Sequence, residues 1–169
     1  LPADTEGNTI ADQFPVILTQ TAYNIHLASL TSPIHGTSML LGAADPFFVQ
    51  RGYAMVAVDV VGTGVSSGKW RMFNDKEQEG YRTAVNWIKQ QPWFNGNIAV
   101  AGTSYLGISA LLTASQQHPE IKAVFANVPA GDPFRSAAAT GGLLNMTFVG
   151  LWLSLTQFTT TFNDIIQFF

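Results

Sequence analysis

Four short apolar runs punctuate the chain, at residues 14–19 (FPVILT), 53–60 (YAMVAVDV), 98–101 (IAVA) and 121–128 (IKAVFANV). Each is nearly continuous in apolar residues rather than alternating, which is the pattern of a strand covered on both faces. Between the second and third runs, Tyr81, Ala84, Val85 and Ile88 recur at helical intervals. Asn74 and Glu77 stand ahead of them at capping-box spacing, and Pro92 ends the pattern. Asp45-Pro46 reads as a helix cap followed by proline at the first helical position, with Gly52 closing a short helix. Strands separated by helices predict an α/β domain with a parallel sheet. Residues 1–13 read as a polar, turn-rich loop. Residues 24–44 read as a long connection of the kind that carries function. Trp87 and Trp93 read as packing residues, and the chain beyond residue 134 reads as mostly helical.

The sharpest local pattern is at 97–115 (NIAVAGTSYLGISALLTAS), where an apolar run turns at Gly102-Thr103-Ser104-Tyr105-Leu106-Gly107 and continues as good helix-forming sequence. Strand, tight turn with a serine at its apex, helix is the pattern of a nucleophile elbow. A serine hydroxyl attacks only when a base takes its proton, and the turn lifts it to where a base can reach. Ser104 is the candidate nucleophile, and the backbone N–H of Tyr105 is the candidate oxyanion donor. The usual motif is G-x-S-x-G, and here the second glycine comes one residue late. The plainer alternative is an ordinary strand-to-helix turn rich in small residues. The context between a buried strand and a helix favours the elbow.

Composition narrows the field. The chain has 169 residues, a net charge of −3 and no cysteine. It is long enough for one domain with a core, shows no basic nucleic-acid footprint and excludes disulfides and thiolate metal sites. Residues 61–68 (VGTGVSSG) raise a phosphate-loop alternative. Gly68-Lys69-Trp70 fails the Gly-Lys-Ser/Thr ending, and Gly62-x-Gly64-x-x-Ser67 lacks the third glycine of a dinucleotide fingerprint. No charged residue stands between Arg135 and Asp164, and 143–155 (LLNMTFVGLWLSL) is strongly apolar. A membrane helix needs ~20 mostly apolar residues. Asn145, Thr147 and Ser154 interrupt this run, and Gly141-Gly142 and Thr156-Gln157 bound it, so a buried or cap helix is the expectation. The first residues carry no signal-peptide pattern, and the compartment is undecided.

The combination of Gly102-Thr103-Ser104-Tyr105-Leu106-Gly107, Gly52-Tyr53, Val58-Asp59, Gly62-Thr63-Gly64, Ser67-Gly68, Gln91-Pro92-Trp93 and Asn95-Gly96 resembles one branch of the α/β-hydrolases. This is the branch of cocaine-esterase-like acyl esterases, Xaa-Pro dipeptidyl-peptidases (S15) and α-amino-acid ester hydrolases. The resemblance covers roughly residues 14–134. It implies that the four runs are the third to sixth strands of that sheet. Residues 1–130 are then a partial α/β-hydrolase core, and 131–169 the beginning of a helical cap. It implies a second oxyanion donor in the hydroxyl of Tyr23, just past the first run, where the family motif has proline before the tyrosine and this chain has Ala22. The family often has arginine where Val61 stands, and Asp59 is expected to belong to that turn rather than to catalysis. Trp152, in the cap segment, is a candidate contact for the acyl group.

The resemblance implies a serine hydrolase that cleaves acyl ester or amide bonds of a small-molecule or peptide substrate through an acyl-enzyme, with no cofactor. Its acid and histidine should follow the serine in that order. His118 ends the helix after the elbow and should point away. His26 and His35 precede Ser104, and Asp132 and Asp164 lie before and within the cap. The acid and histidine are therefore expected beyond Phe169, which makes the chain an N-terminal catalytic part that is inactive alone. The other reading is a noncatalytic α/β-hydrolase-like or membrane-attached interaction module that kept the elbow. Substrate choice, ester against amide preference and oligomeric state are open.

Overall fold

The computed structural model describes residues 1–30 and 41–166. Its centre is a parallel sheet of four strands, β1 (Phe14–Thr21), β2 (Ala54–Asp59), β3 (Phe94–Thr103) and β4 (Ile121–Asn127), in the order β2-β1-β3-β4. The helices are α1 (Ile25–Leu30), α2 (Pro46–Val49), α3 (Asp75–Lys89), α4 (Tyr105–Ser115) and α5 (Met146–Ile166). A π-helical turn at Phe134–Ala138 and a 3₁₀ turn at Thr140–Gly142 join β4 to α5. This is the α/β domain with a parallel sheet that the sequence pattern predicts, and it is consistent with the partial α/β-hydrolase core that the resemblance implies.

β1 shows why its run is apolar throughout. Phe14, Val16 and Leu18 point one way, into a core with Val85 and Ile88 of α3, Ala110 of α4, and Ile98 and Val100 of β3. Burying each such side chain contributes ~1.5–3 kcal/mol. The alternate residues Thr19 and Thr21 face the other layer, where their hydroxyls donate to the Gly42 and Leu41 carbonyls at 3.3 and 2.9 Å. A β-branched polar side chain thus closes onto a crossing backbone without leaving a donor unpaired.

α3 buries Tyr81, Ala84, Val85 and Ile88, the stripe read from the sequence, and Asn74 caps it by accepting the Glu77 N–H at 3.0 Å. Asp45 caps α2 by accepting the Phe47 N–H at 2.9 Å. Trp87 and Trp93 pack edge to face, 6.1 Å apart.

Three boundaries differ from expectation. β3 begins at Phe94, four residues before its apolar run, because Phe94 pairs with Phe14 across a register shift. Residues 24–44 are not without structure, since Asn24 accepts the His26 and Leu27 N–H groups and starts α1. The apolar tail becomes helical at Met146 rather than at residue 143. Asn145, read as an interruption, accepts the Phe148 N–H at 3.2 Å and caps α5, which then runs past residue 155. His35 lies outside the described residues. Among those described, no helix is long and apolar enough to cross a membrane.

Candidate active site

Ser104 stands between β3 and α4 with φ 58° and ψ −121°, a conformation that non-glycine residues rarely hold and that persists only when the surroundings impose it. The surroundings are visible. The Ser104 N–H donates to the Asn127 carbonyl at the end of β4, and the Ser104 carbonyl accepts the Ile108 N–H. A Cβ on Gly102 would lie 2.3 Å from the Leu106 Cβ, and one on Gly107 would lie 3.0 Å from the Asn127 oxygen. These contacts account for the displaced glycine. Leu106, where the usual motif has glycine, is fully buried against the bare Cα of Gly102, and the close approach to β4 falls one residue later. The Ser104 side chain is exposed and makes no capping bond, so its hydroxyl is presented outward. Tyr105 is the first residue of α4, and the first N–H groups of a helix find no acceptor within it.

Tyr23 lies two residues past the end of β1. Its N–H donates to the Thr21 hydroxyl at 3.0 Å, and that hydroxyl donates to Leu41. Side-chain hydrogen bonds therefore set the turn that a proline would set through its ring, and Ala22 is fully buried within it. The Tyr23 and Tyr105 rings are 5.9 Å apart, and Trp152 of α5 donates its indole N–H to the Tyr23 hydroxyl oxygen at 3.2 Å. The structure thus gathers Ser104, Tyr105, Tyr23 and Trp152 at the carboxyl end of the sheet. Of the two described histidines, His118 is held away from this group. His118 precedes Ile121 at the opposite end of β4, and a seven-residue strand spans roughly 20 Å. His26 is exposed on α1.

The glycine-rich turn after β2 spends its amides internally. Asp59 accepts the N–H groups of Ile25 and Val65, and the Gly62, Thr63 and Ser66 N–H groups bond to Ser67, Val60 and Thr63. Burial pushes the Asp59 carboxyl up, against the pull of those two amides and of nearby His26. Val61 packs against Gly68 and Gly80.

Sequence reasoning missed Glu77, Trp70 and Phe73. Glu77 is 1% exposed. Its carboxylate accepts the Tyr81 and Tyr105 hydroxyls on one oxygen, and Trp70 Nε1 at 3.2 Å and the Phe73 N–H at 2.8 Å on the other. Phe73 stacks on Tyr105 at 4.8 Å, and Trp70 lies edge-on to Tyr105 and 5.9 Å from Trp152. Burial, with the neighbouring tyrosine and Glu77, holds the Tyr105 hydroxyl firmly protonated, and burial and Glu77 do the same for Tyr81. The signal was present, since Glu77 falls on the apolar stripe of α3, four residues before Tyr81. The surface hollow of 780 Å³ between β2 and α3 includes Val56, Lys76 and Trp87, but none of Ser104, Tyr23 and Trp152.

With this geometry in view, comparison with known proteins settles the family. The X-Pro dipeptidyl-peptidase (S15) family matches residues 2–165. The chain belongs to that family. A Mycobacterium bovis protein named as a serine esterase is 38% identical over 167 aligned positions, covering 90% of this chain and 25% of the relative. The cocaine esterase of Rhodococcus is 31% identical over 109 positions, covering 64% and 19%. The crystal structure of a CocE/NonD family hydrolase from Staphylococcus aureus superimposes with a TM-score of 0.79 at 27% identity, covering 95% of this chain and 31% of that one. The S15 chain spans about a quarter of the length of the M. bovis relative it matches.

Proposed function

We propose that this chain carries the nucleophile and oxyanion hole of a serine hydrolase that cleaves an acyl ester or amide bond of a small-molecule or peptide substrate. The observation that carries the reading is the backbone of Ser104, an exposed serine held at φ 58° and ψ −121° between strand and helix. Strain of this kind marks functional positions when the fold imposes it.

In this reading the Ser104 Oγ attacks the substrate carbonyl carbon as a histidine takes its proton. The carbonyl oxygen becomes an oxyanion that accepts from the Tyr105 N–H and the Tyr23 O–H. Collapse breaks the bond to the alcohol or amine, which leaves with the proton from the histidine. Water then repeats the sequence on the acyl-enzyme and frees Ser104. The S15 membership and the names of the relatives support a hydrolase, and the elbow supports serine chemistry. Since His118 is at the far end of the sheet, the reading takes its histidine and acid from beyond Phe169. It takes residues 131–169 as the start of a cap over the site.

The test is an activated-serine probe. A fluorophosphonate should label the full-length protein at Ser104, and Ser104→Ala should abolish both labelling and turnover. Equal labelling of the variant would remove Ser104 as nucleophile. Absence of labelling in the wild type would favour the noncatalytic reading.

A further inference from the structure

The buried carboxylate of Glu77 has no task in the reaction just described. A capping-box glutamate ordinarily turns back to the N–H of its own cap residue and stays at the surface. Here Asn74 donates its N–H to the Arg71 carbonyl instead. Glu77 reaches one residue further, to the Phe73 N–H, and turns its other oxygen inward. A carboxylate is retained in such a place only when hydrogen bonds replace its water, and here four donors do so. They come from the loop after β2 (Trp70, Phe73), from α3 itself (Tyr81) and from the first residue of α4 (Tyr105).

We propose that Glu77 is a positioning residue for the oxyanion hole, holding the Tyr105 side chain so that the Ser104–Tyr105 peptide keeps its N–H aimed at the developing oxyanion. This rests on the assignment of Ser104 as nucleophile. The leverage is geometric. The Tyr105 side chain is held at its tip by Glu77, on one face by Phe73 and along its edges by Trp70 and Tyr23. A side chain fixed at its tip and faces fixes its own Cα, and the peptide before that Cα carries the donor. Oxyanion stabilisation depends on donors already in place when charge develops. The tyrosine hydroxyls supply protons and the carboxylate only accepts. Glu77 therefore orders the site through these four hydrogen bonds.

The experiment compares Tyr105→Phe, Glu77→Ala and Glu77→Gln in the full-length protein, with p-nitrophenyl acetate as substrate. Rates are normalised to the serines titrated by fluorophosphonate, and Ser104→Ala is the control. Tyr105→Phe removes only the hydroxyl that reaches Glu77 and keeps the ring and the backbone N–H. It should lower kcat by ~10-fold to 10²-fold, the scale of a small misplacement of a reacting geometry, with KM within about twofold. Glu77→Ala should do the same where it folds. Glu77→Gln should recover part of the kcat lost in Glu77→Ala, because its amide oxygen still accepts from Trp70 and Phe73 while its amide nitrogen cannot accept the two hydroxyl protons. Wild-type kcat in Tyr105→Phe, with Ser104→Ala inactive, would overturn the proposal and leave the nucleophile standing. Turnover that survives Ser104→Ala would overturn the nucleophile and this proposal together.

Discussion

Trp152 donates its indole N–H to the hydroxyl oxygen of Tyr23, at 3.2 Å, across 129 positions of sequence. The bond has a direction. Indole can only donate, so the Tyr23 oxygen accepts here, and its single proton remains free to donate elsewhere. A tyrosine meant to give its proton to an oxyanion is well served by such a partner. Trp152 read from sequence as a contact for the acyl group, and the geometry adds a second way for it to act.

The two roles separate in a double-variant cycle. Tyr23→Phe in the full-length protein should cut kcat by ~10²–10³ with little change in KM, the usual cost of losing one oxyanion donor. Trp152→Phe should lower kcat several-fold in wild-type Tyr23 and have no further effect on kcat in Tyr23→Phe, because coupled residues are not additive. If Trp152 instead touches the acyl group alone, Trp152→Phe will raise KM equally in both backgrounds. Near-normal kcat in Tyr23→Phe would mean that this tyrosine only packs.

The elbow gives a graded prediction about stability. A methyl on Gly102 meets the Leu106 Cβ at 2.3 Å and the Leu106 backbone at 2.6 Å, with no flexible end to yield. A methyl on Gly107 meets the Asn127 oxygen at 3.0 Å, where a few tenths of an ångström suffice. Overpacking costs ~1–3 kcal/mol, and Gly102→Ala should fall at or beyond the top of that range. Gly107→Ala should fall at the bottom. Thermal midpoints of the two full-length variants should therefore be ordered with Gly102→Ala well below Gly107→Ala. Equal midpoints would show that the elbow relaxes around either methyl.

What was legible in the sequence follows from what side-chain pattern records. β1, β2 and β4 are each within two residues of their apolar runs, because strands buried on both faces leave a continuous signal. The start of β3 was not legible, since it rests on the pairing of Phe94 with Phe14, and the polar Asn95, Gly96 and Asn97 fall in the register shift before Ile98. The π-helical and 3₁₀ turns ahead of α5 left no periodic signal at all. The strand-turn-helix setting of Ser104 was legible because Gly102, Leu106 and Gly107 lie within a few residues of it, whereas the bond to Asn127 that also holds it was not. Glu77 was overlooked because its partners are distributed, with Tyr105 28 positions away, and a carboxylate beside a capping asparagine has an adequate local explanation. Its place at the end of the helix after the elbow set His118 aside before the structure placed it, since a residue closing that helix must return to the far end of a parallel sheet.

The last prediction concerns residues 1–169 expressed alone. The strand order puts β2 and β4 at the two edges, so each presents one unpaired row of backbone donors and acceptors. β4 also exposes Val124 and Phe125, the latter at 58%, and α5 exposes Leu151 at 70% with Leu153, Leu155 and Phe158. An edge strand that is exposed and apolar is a template for pairing with another copy, and contiguous apolar surface adds to the drive. Charge does little to oppose this, since Lys122 is the one charged residue in β4 and the described side chains of α5 carry none. Residues 1–169 should therefore self-associate on size-exclusion chromatography. If the histidine lies beyond residue 169, as proposed, they should also show no Ser104-dependent hydrolysis of p-nitrophenyl acetate, since only oxyanion and binding effects then remain. Replacing Val124 and Phe125 by lysine should shift the material toward monomer without restoring turnover. A monodisperse wild-type monomer with Ser104-dependent turnover would mean that these residues hold a complete catalytic apparatus, with its base supplied from within the chain.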